Sequence, residues 1–116
     1  MLGRTGEEIA AAYLQQAGYR VLARNYRQKC GEIDIIAEDN GTLVFVEVKT
    51  RNNTSFGTPF AAVTVKKQKQ IGRVAQDYLA RHELFDRPAR FDVVSILLDG
   101  NRPPAIELLA NAFDLC

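Results

Sequence analysis

Residues 31–51 read GEIDIIAEDNGTLVFVEVKTR, and this stretch decides the fold. Two runs rich in Ile and Val, 32–38 and 42–49, flank Asp39-Asn40-Gly41. Asn-Gly between apolar runs predicts a tight hairpin, because both central residues of such a turn need positive φ. With Asn40-Gly41 as a two-residue loop, Asp39 pairs with Thr42. The same count puts Asp34 opposite Glu47 and Glu32 opposite Lys49. Side chains alternate along a strand, so these four are expected on one face. The other face is then apolar, carrying Ile33, Ile35, Val44, Val46 and Val48.

Two carboxylates directly opposed on neighbouring strands repel. At about 5 Å and an effective dielectric near 20 the repulsion is roughly 3 kcal/mol. A small domain has little stability to spare against that. A neighbouring cation, a shared proton or a bound metal would offset it. Lys49, two residues beyond Glu47, is one such cation. A hard divalent ion such as Mg²⁺ is the other, since it is commonly held by one or two carboxylates and water. The bland alternative is a charge ladder on a solvated sheet face. Ile36, Leu43 and Phe45 share that face, which makes it partly buried and counts against mere decoration.

Working outward, Thr5-Gly6-Glu7-Glu8 has the pattern of a capping box and opens a helix to about Gln16, with Gly18 as its stop. Ile9, Ala10, Tyr13, Leu14 and Ala17 share one face of it, with Glu7 at the apolar border and Glu8 on the opposite side. Tyr19 to Arg27 predicts a first strand. Thr50 to Pro59 is polar and predicts a mobile surface loop. A long helix is expected from Thr64, with Ile71, Val74, Ala75, Tyr78, Leu79 and His82 forming a core stripe. Phe91 to Leu98 predicts a central strand and Ala105 to Leu109 a last one. The order α-β-β-β-α-β-β describes an α/β domain, a mixed sheet of about five strands flanked by helices.

At 116 residues the chain suits a single domain over residues 1–116. No apolar run is long enough to span a bilayer, and Arg4, Glu7 and Glu8 break any signal-like start, so a cytoplasmic protein without a membrane partner is expected. Cys30 and Cys116 are read as incidental thiols. His82 is the single histidine, which excludes paired-histidine nucleases, His-rich zinc sites and Ser-His-Asp chemistry. Carboxylates, lysines and a hard metal must carry any catalysis. The net charge of +1 gives no general argument for a polyanion partner, so such binding must rest on local clusters.

GEEIAAAYL at 6–14, GEIDIIA at 31–37 and VEVKTR at 46–51, with the helix through Lys67–Leu79 and NAF at 111–113, resemble the YraN-type family of small bacterial proteins. That family is placed in the restriction-endonuclease-like PD-(D/E)XK superfamily and is similar in pattern to archaeal Holliday-junction resolvases. Glu-x-Lys alone is a weak signal. Asp34, twelve residues, then Glu47-Val48-Lys49 across an Asn-Gly hairpin is a stronger one, although Ile33 stands where proline often precedes the aspartate. The resemblance implies a restriction-endonuclease-like fold and a metal-dependent nuclease acting on DNA rather than RNA, including branched or repair intermediates. It implies that Asp34 and Glu47 ligate Mg²⁺ or Mn²⁺, with the Val48 backbone carbonyl as a further ligand and Glu7 reaching the metal directly or through water. Lys49 would position or help deprotonate the attacking water and stabilise charge on the phosphate.

Arg51, Lys66, Lys67, Lys69, Arg73, Arg27 and Lys29 would neutralise phosphates, Gln68 would join them, and Tyr26 would stack on a base. A solvated basic face and a packed aromatic are the bland readings of the same residues. Asp92 is expected as a buried partner for an arginine such as Arg90. A non-catalytic nucleic-acid-binding module and a simple interaction domain remain the alternatives, and a homodimer or a protein partner would enlarge the basic surface.

Overall fold

The computed structural model describes residues 5–51, 63–98, 100 and 102–113. The elements are α1 (Gly6–Gln16), β1 (Arg20–Gln28), β2 (Gly31–Asp39), β3 (Thr42–Arg51), α2 (Val65–Arg81), β4 (Ala89–Leu97) and β5 (Ala105–Phe113). The expected order of elements holds. The sheet order is β1-β2-β3-β4-β5, antiparallel except for the parallel pair β3–β4. That exception follows from α2, since a helical crossover returns the chain to run in the same direction. The Thr5–Glu8 capping box forms as predicted, and Thr64 caps α2 by accepting from the Lys67 amide. Of the expected loop over 50–59, Thr50 and Arg51 extend β3, and the remainder lies outside the described residues.

The two helices cover opposite faces of the sheet. On one side α1 contributes Ala10, Ala11 and Leu14 to a cluster with Ile35, Val44, Val46, Val94 and Ile96. On the other, α2 lays Ile71, Val74, Ala75 and Tyr78 over Ile33, Ile36, Phe45, Phe91 and Val93. β3 and β4 therefore run buried on both faces, which is why they read as near-continuous apolar segments. No helix among the described residues is long and apolar enough to cross a membrane.

Two expectations need correction. The last strand runs to Phe113 rather than Leu109. It passes through Asn111 at φ 54°, and the register against β4 shifts between Phe91 and Val93, so a bulge carries the strand past the point where alternation fades. Ile33 also lies on the α2 side with Ile36, not beside Ile35. Strict alternation is broken between them, at Asp34.

Asp92 is fully buried on β4 and accepts from Tyr19 Oη at 3.0 Å, Arg90 Nε at 3.1 Å and the Asn111 amide at 2.9 Å. Arg90 also reaches Asp39 at 3.0 Å. The expected pairing of Asp92 with Arg90 is thus met, within a network tying the start of β1 to β4 and β5. Burial and the Asp92 charge push the Tyr19 hydroxyl up to about 12, so it stays a donor. Asp92→Ala would take the acceptor from the Tyr19 hydroxyl and the Asn111 amide and leave Arg90 with Asp39 as its one carboxylate. It is expected to cost about 3–5 kcal/mol, read as a lowered urea midpoint in equilibrium unfolding.

Candidate active site

The hairpin register falls where the Asn-Gly count puts it, from Asp39↔Thr42 to Ile35↔Val46. Asn40 and Gly41 take φ 51° and 87°, as the turn demands. Beyond Ile35 the Asp34 side chain takes over, its Oδ2 accepting the Val48 amide at 2.8 Å. Across β2 from this point, β1 carries Asn25 at φ 54°, between the pairs Arg24↔Ile35 and Tyr26↔Ile33. The irregularity in both strands at the same level explains the broken alternation. It also aims Asp34 at the hairpin's own backbone.

Glu47 sits at the centre of the site. It is 5 % exposed, among the three buried polar or charged side chains of the described residues. Burial pushes its carboxyl up to about 7, helped by the charge of Asp34 and by a hydrogen bond with it, against the pull of Lys67 and Lys49. Both lysines meet the same oxygen, Lys49 Nζ at 3.5 Å and Lys67 Nζ at 3.6 Å from Glu47 Oε2. The repulsion expected between the two carboxylates is therefore relieved by two cations and a carboxyl–carboxyl hydrogen bond. Glu7 approaches from α1. Burial first, then the Asp34 charge, raise its carboxyl, while Arg24 and Asn25 pull it down. Its Oε1 is buried without a hydrogen bond, 3.6 Å from Arg24 Nε.

Asp34 thus lies between a carboxylate on each side of the sheet, and it raises both. Among the described residues no three His, Cys, Asp or Glu side chains are arranged to hold a metal ion by themselves. Mg²⁺ keeps several waters and commonly takes only one or two carboxylates. The buried Glu47 carboxyl against Asp34, and a Glu7 oxygen without a hydrogen bond on the α1 side of Asp34, suit such an ion. Asp34 and Glu47 would be its direct ligands and Glu7 would act through water.

The remaining residues singled out from the sequence divide into two groups. Lys67 reaches the carboxylates, and Gln68 lies beside it, its Nε2 donating to the Val63 carbonyl at 3.0 Å. Arg51 ends β3, two residues past Lys49. Lys66 and Lys69 are exposed on α2 and line a hollow with Arg73. Glu32 leaves the set expected of it. It pairs with Arg27 at 2.5 Å instead of facing Lys49. Tyr26 is engaged in packing, edge-on to Tyr78 at 5.2 Å and donating to Asp77 at 2.9 Å. His82, expected as the end of the α2 core stripe, is exposed at the helix C-cap, where its ring lies tilted against Tyr78 at 4.3 Å.

Sequence reasoning missed Asn25 and the Arg24–Glu7 pair. An asparagine in mid-strand is the one available signal, because Asn tolerates positive φ better than other non-glycine residues.

The family model described as "Uncharacterised protein family UPF0102" matches residues 6–96, from the start of α1 into β4. A UPF0102 protein of Geotalea daltonii is 54 % identical over 114 residues, covering 98 % of this chain and 90 % of that one. One from Geobacter sulfurreducens is 49 % identical over 115 residues, covering 99 % and 90 %. A third, from Symbiobacterium thermophilum, is 48 % identical over 112 residues, covering 97 % and 95 %. The matched span contains Glu7, Asp34, Glu47, Lys49 and Lys67, so the chain, with every side chain of its carboxylate site, belongs to the UPF0102 family.

Proposed function

We propose that this protein is a divalent-metal-dependent nucleic-acid phosphodiesterase of the restriction-endonuclease-like PD-(D/E)XK type, acting on DNA in the cytoplasm. The observation that carries the reading is the buried Glu47 carboxyl held against Asp34, with two lysines on one of its oxygens. A sheet that needed only solubility would gain nothing from burying a carboxylate beside another.

Asp34 and Glu47 would hold the Mg²⁺ or Mn²⁺, and the backbone carbonyl of Val48, the residue after Glu47, would be a further oxygen donor. The bound ion supplies Lewis-acid charge for a phosphate oxygen and makes water a better nucleophile at neutral pH. Lys49, 31 % exposed at its side chain, is held by Glu47 and still reaches solvent. Its ammonium orients the attacking water and balances charge growing on the phosphate. Lys67 shares the electrostatic task from α2. Glu7 accepts a hydrogen bond from water at the α1 side of the site, where its Oε1 has no protein donor. The net charge of +1 leaves long-range attraction weak, so a second copy or a protein partner would extend the basic surface.

The test is cleavage of labelled DNA and RNA, including a four-way junction and a flap, with Mg²⁺ or Mn²⁺ and with chelator. Metal-dependent cutting by the wild type, lost in Asp34→Ala, is the expected result. Tight binding of branched DNA without any cutting would replace the enzyme with a binding module of the same fold.

A further inference from the structure

Eight of the cations in the described residues are matched with carboxylates: Arg20, Arg24, Arg27, Lys49, Lys67, Arg81, Arg87 and Arg90. Lys66, Lys69 and Arg73 depart from that pattern, since no ion pair within the described residues involves them. They nevertheless converge, lining one hollow of about 290 Å³ together with Gln70 and Cys30. On α2 these positions fall within about 100° of arc, turned away from the Ile71–Tyr78 core stripe. The opposite wall is the turn between β1 and β2. Gly31 there has φ 149°, and a Cβ on it would come within 2.6 Å of Gln70 Cγ. The Gln70 side chain thus lies against the bare Cα of Gly31 and closes this side of the hollow.

Three unpaired cations in one depression repel each other, as the two carboxylates do, and an anion is their natural complement. Lys66, at the start of the hollow, precedes Lys67, whose ammonium lies 3.6 Å from Glu47 Oε2, so one turn of α2 serves both the hollow and the carboxylate site. No aromatic side chain lines it, so it offers no stacking surface for a base. From Lys66 to Arg73 the helix rises about 10 Å, the axial rise of roughly three nucleotides along one strand of a duplex. Resting on the nucleic-acid reading above, we infer that this hollow is a phosphate-binding tract. It would grip the backbone of the substrate strand just beyond the scissile bond, without regard to sequence.

The test uses the full chain, labelled DNA and no divalent metal, so that binding is separated from cleavage. The triple variant K66Q/K69Q/R73Q is expected to bind at least tenfold more weakly near 0.1 M salt, with the log–log salt slope reduced by about 2. Cys30, exposed in the same hollow, gives a second readout that needs no change to the cations. In a Cys116→Ser background its alkylation by iodoacetamide is expected to slow severalfold when DNA is bound. Equal affinity and equal salt slope in the triple variant, with Cys30 as reactive in the complex as in the free protein, would overturn the tract. The proposed nuclease would survive that result. A wild type that binds neither DNA nor RNA would remove both.

Discussion

Lys49→Ala is expected to abolish cleavage while leaving divalent-ion binding in place. The loss should be at least about 10²–10³-fold in kcat, the usual consequence of removing one group that stabilises charge in a phosphoryl or acyl transition state. The separation follows from geometry. Lys49 touches one oxygen of Glu47 from 3.5 Å and is not itself an oxygen donor. Its removal leaves Asp34 and Glu47 able to hold the ion, with the repulsion between them now opposed by Lys67 alone among the two lysines. Rapid-quench cleavage and calorimetric Mn²⁺ titration, on the same preparation, read the two properties separately. Parallel loss of both would assign Lys49 to holding the carboxylates rather than to the reaction.

Glu47→Gln is expected to make the metal-free protein more stable at pH 8 and inactive. The Glu47 carboxyl stands at about 7 in the folded chain against an ordinary 4.5. Below pH 4.5 it is protonated in both folded and unfolded states and contributes nothing to pH dependence. Between 4.5 and 7 only the unfolded chain gives up the proton, so stability falls as pH rises, and above 7 the full penalty remains. A shift of this size corresponds to about 3 kcal/mol. Glutamine keeps the shape without the charge, so at pH 8 the variant should gain about 2–3 kcal/mol, or roughly 10 °C in Tm. At pH 4 wild type and variant should unfold together. Denaturant melts at the two pH values with chelator present check this, and an unchanged or lower midpoint at pH 8 would show that Glu47 stabilises the fold. A carboxylate kept at such a cost points to a role outside stability.

How much of this was legible in the sequence depends on the range of each interaction. The hairpin register was readable because Asn40-Gly41 fixes it locally, and it holds over every hydrogen-bonded pair to Ile35↔Val46. The capping box, the border position of Glu7 and the core stripe of α2 from Ile71 to Leu79 were readable for the same reason, since each lies within a few residues, whereas His82 falls past the end of the helix and is exposed. The break in alternation at Asp34 was not, because it involves Asn25 on a third strand. Glu32 was misplaced for a related reason, as a pairing count knows nothing of Arg27 across the other hairpin. Lys67 stood out as facing the core border, yet its contact with Glu47 depends on how α2 seats on the sheet. The hollow of Lys66, Lys69 and Arg73 needed the β1–β2 turn as its far wall.

The central claim is that Asp34 and Glu47 form a divalent-metal centre, and isothermal titration of Mn²⁺ into the wild type and Asp34→Ala at pH 8 tests it most directly. The site predicts ion binding that releases a proton as Glu47 ionises, with affinity that rises from pH 6 to pH 8 and is lost in the variant. Binding that is absent from the wild type, or that persists unchanged in Asp34→Ala, would contradict it.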